Sequence, residues 1–199
     1  MFIFASASKA RLDLLNSVGI FPEKIVQTNI DEAIFRNEHP VDYVTRVALE
    51  KNKNVEKADA DLVLSADTII SVGRRILTKP TDPQQARQFL DLMSGRRHKV
   101  MTSICVFSKG KYYQKVIKTT LKMKRLSVLE KERYLLSNEW QGKAGGYAIQ
   151  GRAAYFFPFV SGSYTNIVGL PLTETIGLLV GLGYKLSSQT PKGEFLGER

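Results

Sequence analysis

One cysteine, Cys105, and two histidines, His39 and His98, are all that the 199 residues hold of thiol and imidazole metal ligands. A lone thiol makes neither an intrachain disulfide nor a cysteine cluster. It suits a reducing, cytoplasmic setting. Two histidines leave little material for a histidine-ligated metal or a Ser–His–Asp triad. No apolar run approaches the ~20 residues that span a bilayer, so no membrane association is expected. The opening Met1-Phe-Ile-Phe-Ala-Ser-Ala-Ser lacks the basic stretch and the length of a secretory signal. Missing as well are GxxxxGK[ST], a GxGxxG after a strand, and HExxH. Any catalysis therefore falls to carboxylates, lysines, arginines and hydroxyls. That set suits phosphate chemistry with an oxygen-liganded Mg2+.

Acid is missing from one long stretch. Between Asp91 and Glu130 there are ten basic residues and no acidic one, which equals the whole excess of 29 basic over 19 acidic residues behind the net charge of +10. A basic face attracts phosphate, on nucleic acid or on a small polyanion. From Ile117 to Lys124 the odd positions are Ile117, Thr119, Leu121 and Met123, and the even ones Lys118, Thr120, Lys122 and Lys124. This is a strand with one basic face. A solvated face that also guards a sheet edge is the favoured reading. A nucleic-acid-binding or regulatory protein using the 109–125 hairpin is the alternative, although no aromatics interleave there.

Strand and helix patterns alternate along the chain. Phe2 to Ala5 reads as a strand, and Ser8 caps a helix that Gly19 stops near Val18. Ile25 to Gln27 reads as a short strand and Asn29 to His39 as a loop. Pro40 opens a helix to about Lys57. Leu62 to Ser71 reads as a strand, and Asp82-Pro83 opens a helix ending before Gly95. Val100–Phe107 and Tyr113–Lys124 form a hairpin around Lys109-Gly110-Lys111. Ser127 to Glu130 is a capping box for a helix through Leu136. Ala153 to Val160 reads as a strand, Gly162 to Pro171 as a loop and Leu172 to Leu182 as the last helix. Interleaved elements with a hairpin predict an α/β fold, a mixed twisted sheet with flanking helices. One domain over 1–186 is expected, with a polar, loosely ordered tail over 187–199.

Asp67 is the most informative residue. It interrupts the apolar run Leu62-Val-Leu-Ser-Ala-Asp67-Thr-Ile-Ile-Ser. A carboxylate there is paired, holds a metal, or lies at a break in the strand beside a cleft; the plainer reading is a cap or turn between two short strands. Lys51 falls on the helical stripe of Val44, Val47, Ala48 and Val55. Its ammonium either meets a buried anion or snorkels to water. Ser6, Ser8 and Arg11 lie where a strand enters a helix, a place where hydroxyls, free amides and the positive helix end make an anion site. Simple capping is the other reading. Asp31-Glu32 reads as a solvated loop pair, and Lys79, held extended by Pro80, as a surface lysine. The loop Gly142 to Gly151 has four glycines, which let a backbone approach a ligand. Its Gln150 carries an amide suited to reading a base edge.

Taken together, these pieces resemble the Maf-like family from Ser6 to Pro171. The motifs are Ser6-x-Ser8-x-x-Arg11, Asp31-Glu32, Glu50-Lys51, Ala66-Asp67-Thr68, Lys79-Pro80, Ser94-Gly95-x-x-His98, Gly142-Lys143-Ala144-Gly145, Tyr147-x-Ile149-Gln150-Gly151, Gly162-Ser163-Tyr164-x-Asn166 and Gly169-Leu170-Pro171. Each is short; their number and order carry the match. The resemblance implies an inosine-triphosphatase-like fold with two lobes around a cleft. It implies a nucleoside triphosphate pyrophosphatase that cleaves between the α and β phosphates, helped by a divalent cation, Mg2+ or Mn2+. By position, Asp67 is then the proton acceptor, and Glu32 and Asp67 hold the metal. Ser6, Ser8, Arg11, Lys51 and Lys79 grip the triphosphate, while Tyr147 and Gln150 lie near the base. The Tyr147 to Gly151 stretch resembles the subgroup acting on dTTP, UTP and modified pyrimidine nucleotides. A homodimer, the clearing of noncanonical nucleotides and a link to division arrest are also implied. Lys9 and Ala10 stand where the family has proline and arginine, so one guanidinium is lost; Lys9 is the candidate to compensate, as a point charge without the planar fork of arginine.

Overall fold

A computed structural model describes residues 1–58 and 61–186; the expected tail over 187–199 lies outside the described residues. The sheet has seven strands in the order β2-β1-β3-β5-β6-β7, with β4 beside β3. These are β1 (Phe2–Ala5), β2 (Lys24–Ile25), β3 (Leu62–Val72), β4 (Arg75–Leu77), β5 (Arg97–Ser108), β6 (Lys111–Lys122) and β7 (Phe159–Ser161). The pairs β1–β2 and β1–β3 are parallel and the others antiparallel, so the sheet is mixed, as the interleaved pattern predicts. Among the described residues six α-helices accompany it: α1 (Lys9–Ser17), α2 (Pro40–Lys53), α3 (Pro83–Met93), α4 (Val128–Leu136), α5 (Tyr164–Val168) and α6 (Leu172–Gly181).

A gap in the pairing of β3 makes room for a site. β1 covers Leu62 to Ser65 on one edge of β3, and β4 covers Ile70 to Val72 on the same edge. Among the described residues no strand pairs with Ala66 to Ile69 there, while their other edge is paired throughout with β5. Alternation along β3 then sends Asp67 to one face of the sheet and Thr68 to the other.

Helix α2 covers the Asp67 face. Its apolar stripe of Tyr43, Val44 and Val47 is buried against Ile69 and Met101. Each such side chain contributes about 1.5–3 kcal/mol by leaving water. The opposite face carries two separate cores. Around α1 and α6, Leu15, Ile20 and Leu179 pack on Phe2, Phe4 and Leu64. Around α3 and α4, Leu90, Met93, Tyr134, Trp140 and Tyr147 pack on Ile70, Val100 and Leu121. The two cores are the two lobes, and the gap along β3 lies between them.

Several expectations need correction. Ala153 to Val160 is not a strand: Arg152–Phe156 forms a 3-10 turn and β7 begins only at Phe159. Pro158 explains this, because it donates no ladder hydrogen bond and restricts the residue before it. The stretch Gly162 to Pro171 is not all loop. Ser163 caps the short helix α5 by accepting the Asn166 N–H at 3.2 Å, a Ser-x-x-Asn signal that the glycines obscured. Helix α2 ends at Lys53 rather than near Lys57. The hairpin is longer than expected, joined at Lys109 (φ 48°) and Gly110 (φ 74°). Two positive φ values are what a two-residue turn with the strands' own twist requires.

Candidate active site

All nine residues expected to form a site line one cleft of about 460 Å3: Ser6, Ser8, Arg11, Glu32, Lys51, Asp67, Lys79, Tyr147 and Gln150. None of residues 109–125 does; the cations Lys118 and Lys122 are exposed on β6.

The chemistry centres on Lys51. Its stripe on α2 aims it at β3, where Nζ lies 2.7 Å from Asp67 Oδ1 and 2.8 Å from Glu32 Oε1. The side chains of Lys51 and Asp67 are 10% and 8% exposed, whereas Glu32 is 44% exposed. Of the two sequence readings of Lys51, the buried anion is therefore correct, and Asp67 is paired rather than capping a turn. Asp31 takes a local role, accepting the Ala33 N–H at 2.9 Å.

The strand-to-helix entry is built as expected. Ser8 Oγ accepts the Arg11 N–H at 3.4 Å, capping α1, and Ser6 Oγ accepts the Ser8 N–H at 3.2 Å. Arg11 is locked on the protein side. Its Nε donates to the Gly169 carbonyl at 2.8 Å and its Nη2 to Thr68 Oγ1 at 2.9 Å. Burial lowers the guanidinium pKa, while the charges of Asp67 and Glu32 act the other way. Lys9 does not stand in for the missing guanidinium: its exposed ammonium sits on Asp13, at 2.9 Å.

The far lip comes from the other lobe. Thr78 O accepts the Gly145 N–H at 2.9 Å, tying the segment of Lys79 to the loop of Lys143. Gly145 has φ 66°, and a Cβ there would collide with the Ile70 side chain. Tyr147 is buried, with its hydroxyl 2.9 Å from His98 Nε2. Burial holds the His98 pKa down to about 4, so the ring is neutral at ordinary pH. The Tyr147 hydroxyl is thus engaged by His98. Gln150 is exposed at the rim.

The polar lining residues to which sequence reasoning gave no role include Lys143, Thr68, Gln27 and Thr28. Thr68 was legible in principle, because strand alternation beside Asp67 sends it to the opposite face. Lys143 was visible only as part of a glycine-rich motif. Nothing in the sequence marked Gln27.

With Lys143, and setting aside Lys9 whose exposed ammonium is paired with Asp13, four cations among the described residues line the cleft (Arg11, Lys51, Lys79 and Lys143) against two acids, Glu32 and Asp67. Such a cleft suits a polyanion with several phosphates. A family model described as Maf-like protein matches residues 1–182. The chain belongs to the Maf-like family. A dTTP/UTP pyrophosphatase of Cereibacter sphaeroides is 48% identical over 184 residues, covering 92% of this chain and 96% of that protein. A dTTP/UTP pyrophosphatase of Roseobacter denitrificans is 47% identical, covering 94% of this chain and 100% of that one. Among solved structures, the Staphylococcus aureus Ham1 protein is 12% identical over 61% of this chain and 70% of that chain, with a TM-score of 0.39. No helix among the described residues is long and apolar enough to cross a membrane.

The two acids of this Maf-like cleft fit a hard divalent cation. Both meet at a single ammonium, so one cation at that place would reach both. Their donors are all oxygen, and among the described residues no cluster of three or more acids, histidines and cysteines forms. Two carboxylates, with water and substrate phosphate completing the shell, is the arrangement Mg2+ takes in phosphate enzymes.

Proposed function

We propose that the cleft hydrolyses nucleoside triphosphates, dTTP and UTP foremost, to the monophosphate and pyrophosphate. The observation that carries this reading is the Glu32–Lys51–Asp67 cluster, two acids on one ammonium, in a cleft whose other charged lining residues are cations. The names of the relatives support the substrate class. Asp67 accepts the proton of the attacking water. Lys51 holds that carboxylate in place and offsets its charge against the incoming phosphates. Ser6, Ser8 and Arg11 grip the phosphates at the start of α1, where free amides and the helix dipole favour anions. Lys79 reaches them from the opposite lip. The Tyr147 ring and the Gln150 amide meet the base, an aromatic face with a paired donor and acceptor beside it.

Glu32 and Asp67 would hold Mg2+ or Mn2+, which neutralises phosphate oxygens and makes bound water more acidic. A cytoplasmic setting, a homodimer and a single domain over 1–186 complete the proposal. Its test is a nucleotide panel with millimolar Mg2+. We expect dTTP and UTP to exceed dGTP and dATP in kcat/KM by about tenfold or more, the range that one well-placed pair of hydrogen bonds to a base gives. Equal values across the panel would remove Gln150 and Tyr147 from base selection.

A further inference from the structure

Glu32 stands on a segment with no regular structure of its own. Residues 26–39 form neither helix nor strand, and every residue from Asp31 to Asn37 is exposed. Ordering such backbone costs about 1–2 kcal/mol per residue. The half-exposed contact of Glu32 with Lys51 does not offset that by itself. Something else fixes this acid over β3.

We propose that Arg46, with Tyr43, is a positioning residue that clamps the 31–38 loop onto α2 and so sets Glu32 at cation-binding distance from Asp67; this rests on the reading of those two acids as cation ligands. Arg46 lies on α2, one helical turn before Glu50-Lys51. Its Nε donates to Glu38 Oε1 at 2.7 Å and its Nη2 to Glu38 Oε2 at 2.9 Å, a two-pronged grip on one carboxylate. Nη2 also donates to the Ala33 carbonyl at 2.9 Å, the residue directly after Glu32. Nη1 donates to Glu50 Oε2 at 3.2 Å, bracing the guanidinium from its own helix. The Phe35 ring lies under it, 3.9 Å from the centroid. Tyr43, one turn earlier, donates its hydroxyl to the Glu32 carbonyl at 2.9 Å.

The far end of the loop is closed by the same carboxylate: Glu38 Oε2 accepts the Phe35 N–H at 3.0 Å. One guanidinium thus holds the loop at Ala33, Phe35 and Glu38. The Arg46 and Glu38 side chains are 18% and 8% exposed, so the two bonds between them are partly shielded from competing water. The hydrogen bond from Arg46 also holds the Glu38 carboxyl below its ordinary range, keeping it charged. The loop and Lys51 are therefore fixed to the same helix, which makes the spacing of the two acids a property of α2.

The test is Mn2+ binding to the full chain without nucleotide, followed by electron paramagnetic resonance of the free ion. Arg46→Met keeps the aliphatic stem and loses every donor. It is expected to weaken Mn2+ binding about tenfold, the usual loss when a partner orienting a ligand is removed. Arg46→Lys is expected to fall between, since an ammonium cannot grip Glu38 with two prongs. At saturating Mn2+ both variants should regain wild-type kcat; a kcat that stays depressed would show general damage and overturn the positioning role. Wild-type binding with unchanged binding by a folded Arg46→Met would overturn the clamp alone. No binding by the wild type would overturn the cation site, and the clamp with it. Tyr43→Phe, which removes one hydroxyl, reads the same clamp if Arg46→Met does not fold. It should weaken binding a few-fold, and no change would count against the clamp.

Discussion

Asp67→Asn is expected to lower dTTP turnover by about a thousandfold while leaving the protein folded, a loss in the range of a missing general base. The substitution is nearly isosteric. The amide oxygen still accepts from Lys51, which sits 2.7 Å away, and Lys51 keeps Glu32 as its charged partner. What disappears is a negative charge beside the phosphates and an atom able to take a proton from water. Structure and chemistry are thus separated in one substitution. Turnover of dTTP and the urea midpoint of the same preparation give both halves of the result. A variant that is folded and active would remove Asp67 from the base role.

Lys51→Met has the second large effect, and its sign with respect to metal is informative. Methionine keeps the stem but leaves Asp67 inside the cleft edge with Glu32 as a like-charged neighbour. Removing one member of a shielded ion pair costs about 3 kcal/mol or more, because the remaining charge stays desolvated. A cation that binds only the folded state restores stability in proportion to the logarithm of its concentration. In the wild type the ammonium competes for the two acids; in Lys51→Met it does not. Millimolar Mg2+ should therefore raise the urea midpoint of Lys51→Met more than that of the wild type. Equal responses would show that the two acids do not share a cation. Turnover is expected to stay low at any Mg2+ concentration, since Lys51 also orders Asp67.

The long periodic elements were legible because their signals are local. The stripe on α2 put Lys51 on the core side of the helix, and the apolar run around Asp67 marked the strand that carries it. The capping serine Ser8 and the Ser127–Glu130 box were correct, and the structure shows both. The misses share a cause. Pro158 and the glycines after Ser161 interrupt periodicity, so a short strand and a short helix were read as one strand and one loop. The site itself was only partly legible. Glu32 and Lys79 carry no local mark of function; their place is set by Arg46 and Tyr43 in one case and by the Thr78–Gly145 backbone bond in the other. Such contacts join segments far apart in the chain, and no periodicity records them. The basic face of β6 stands apart from the cleft, which the count of charges alone did not reveal.

The most direct measurement is the product balance. Wild-type protein is incubated with dTTP and Mg2+, and the products are followed by phosphorus NMR. One dTMP and one pyrophosphate per dTTP is the predicted result, with no signal of single orthophosphate. Appearance of dTDP and orthophosphate would mean that the cleft acts on the terminal phosphate, and would contradict the assignment.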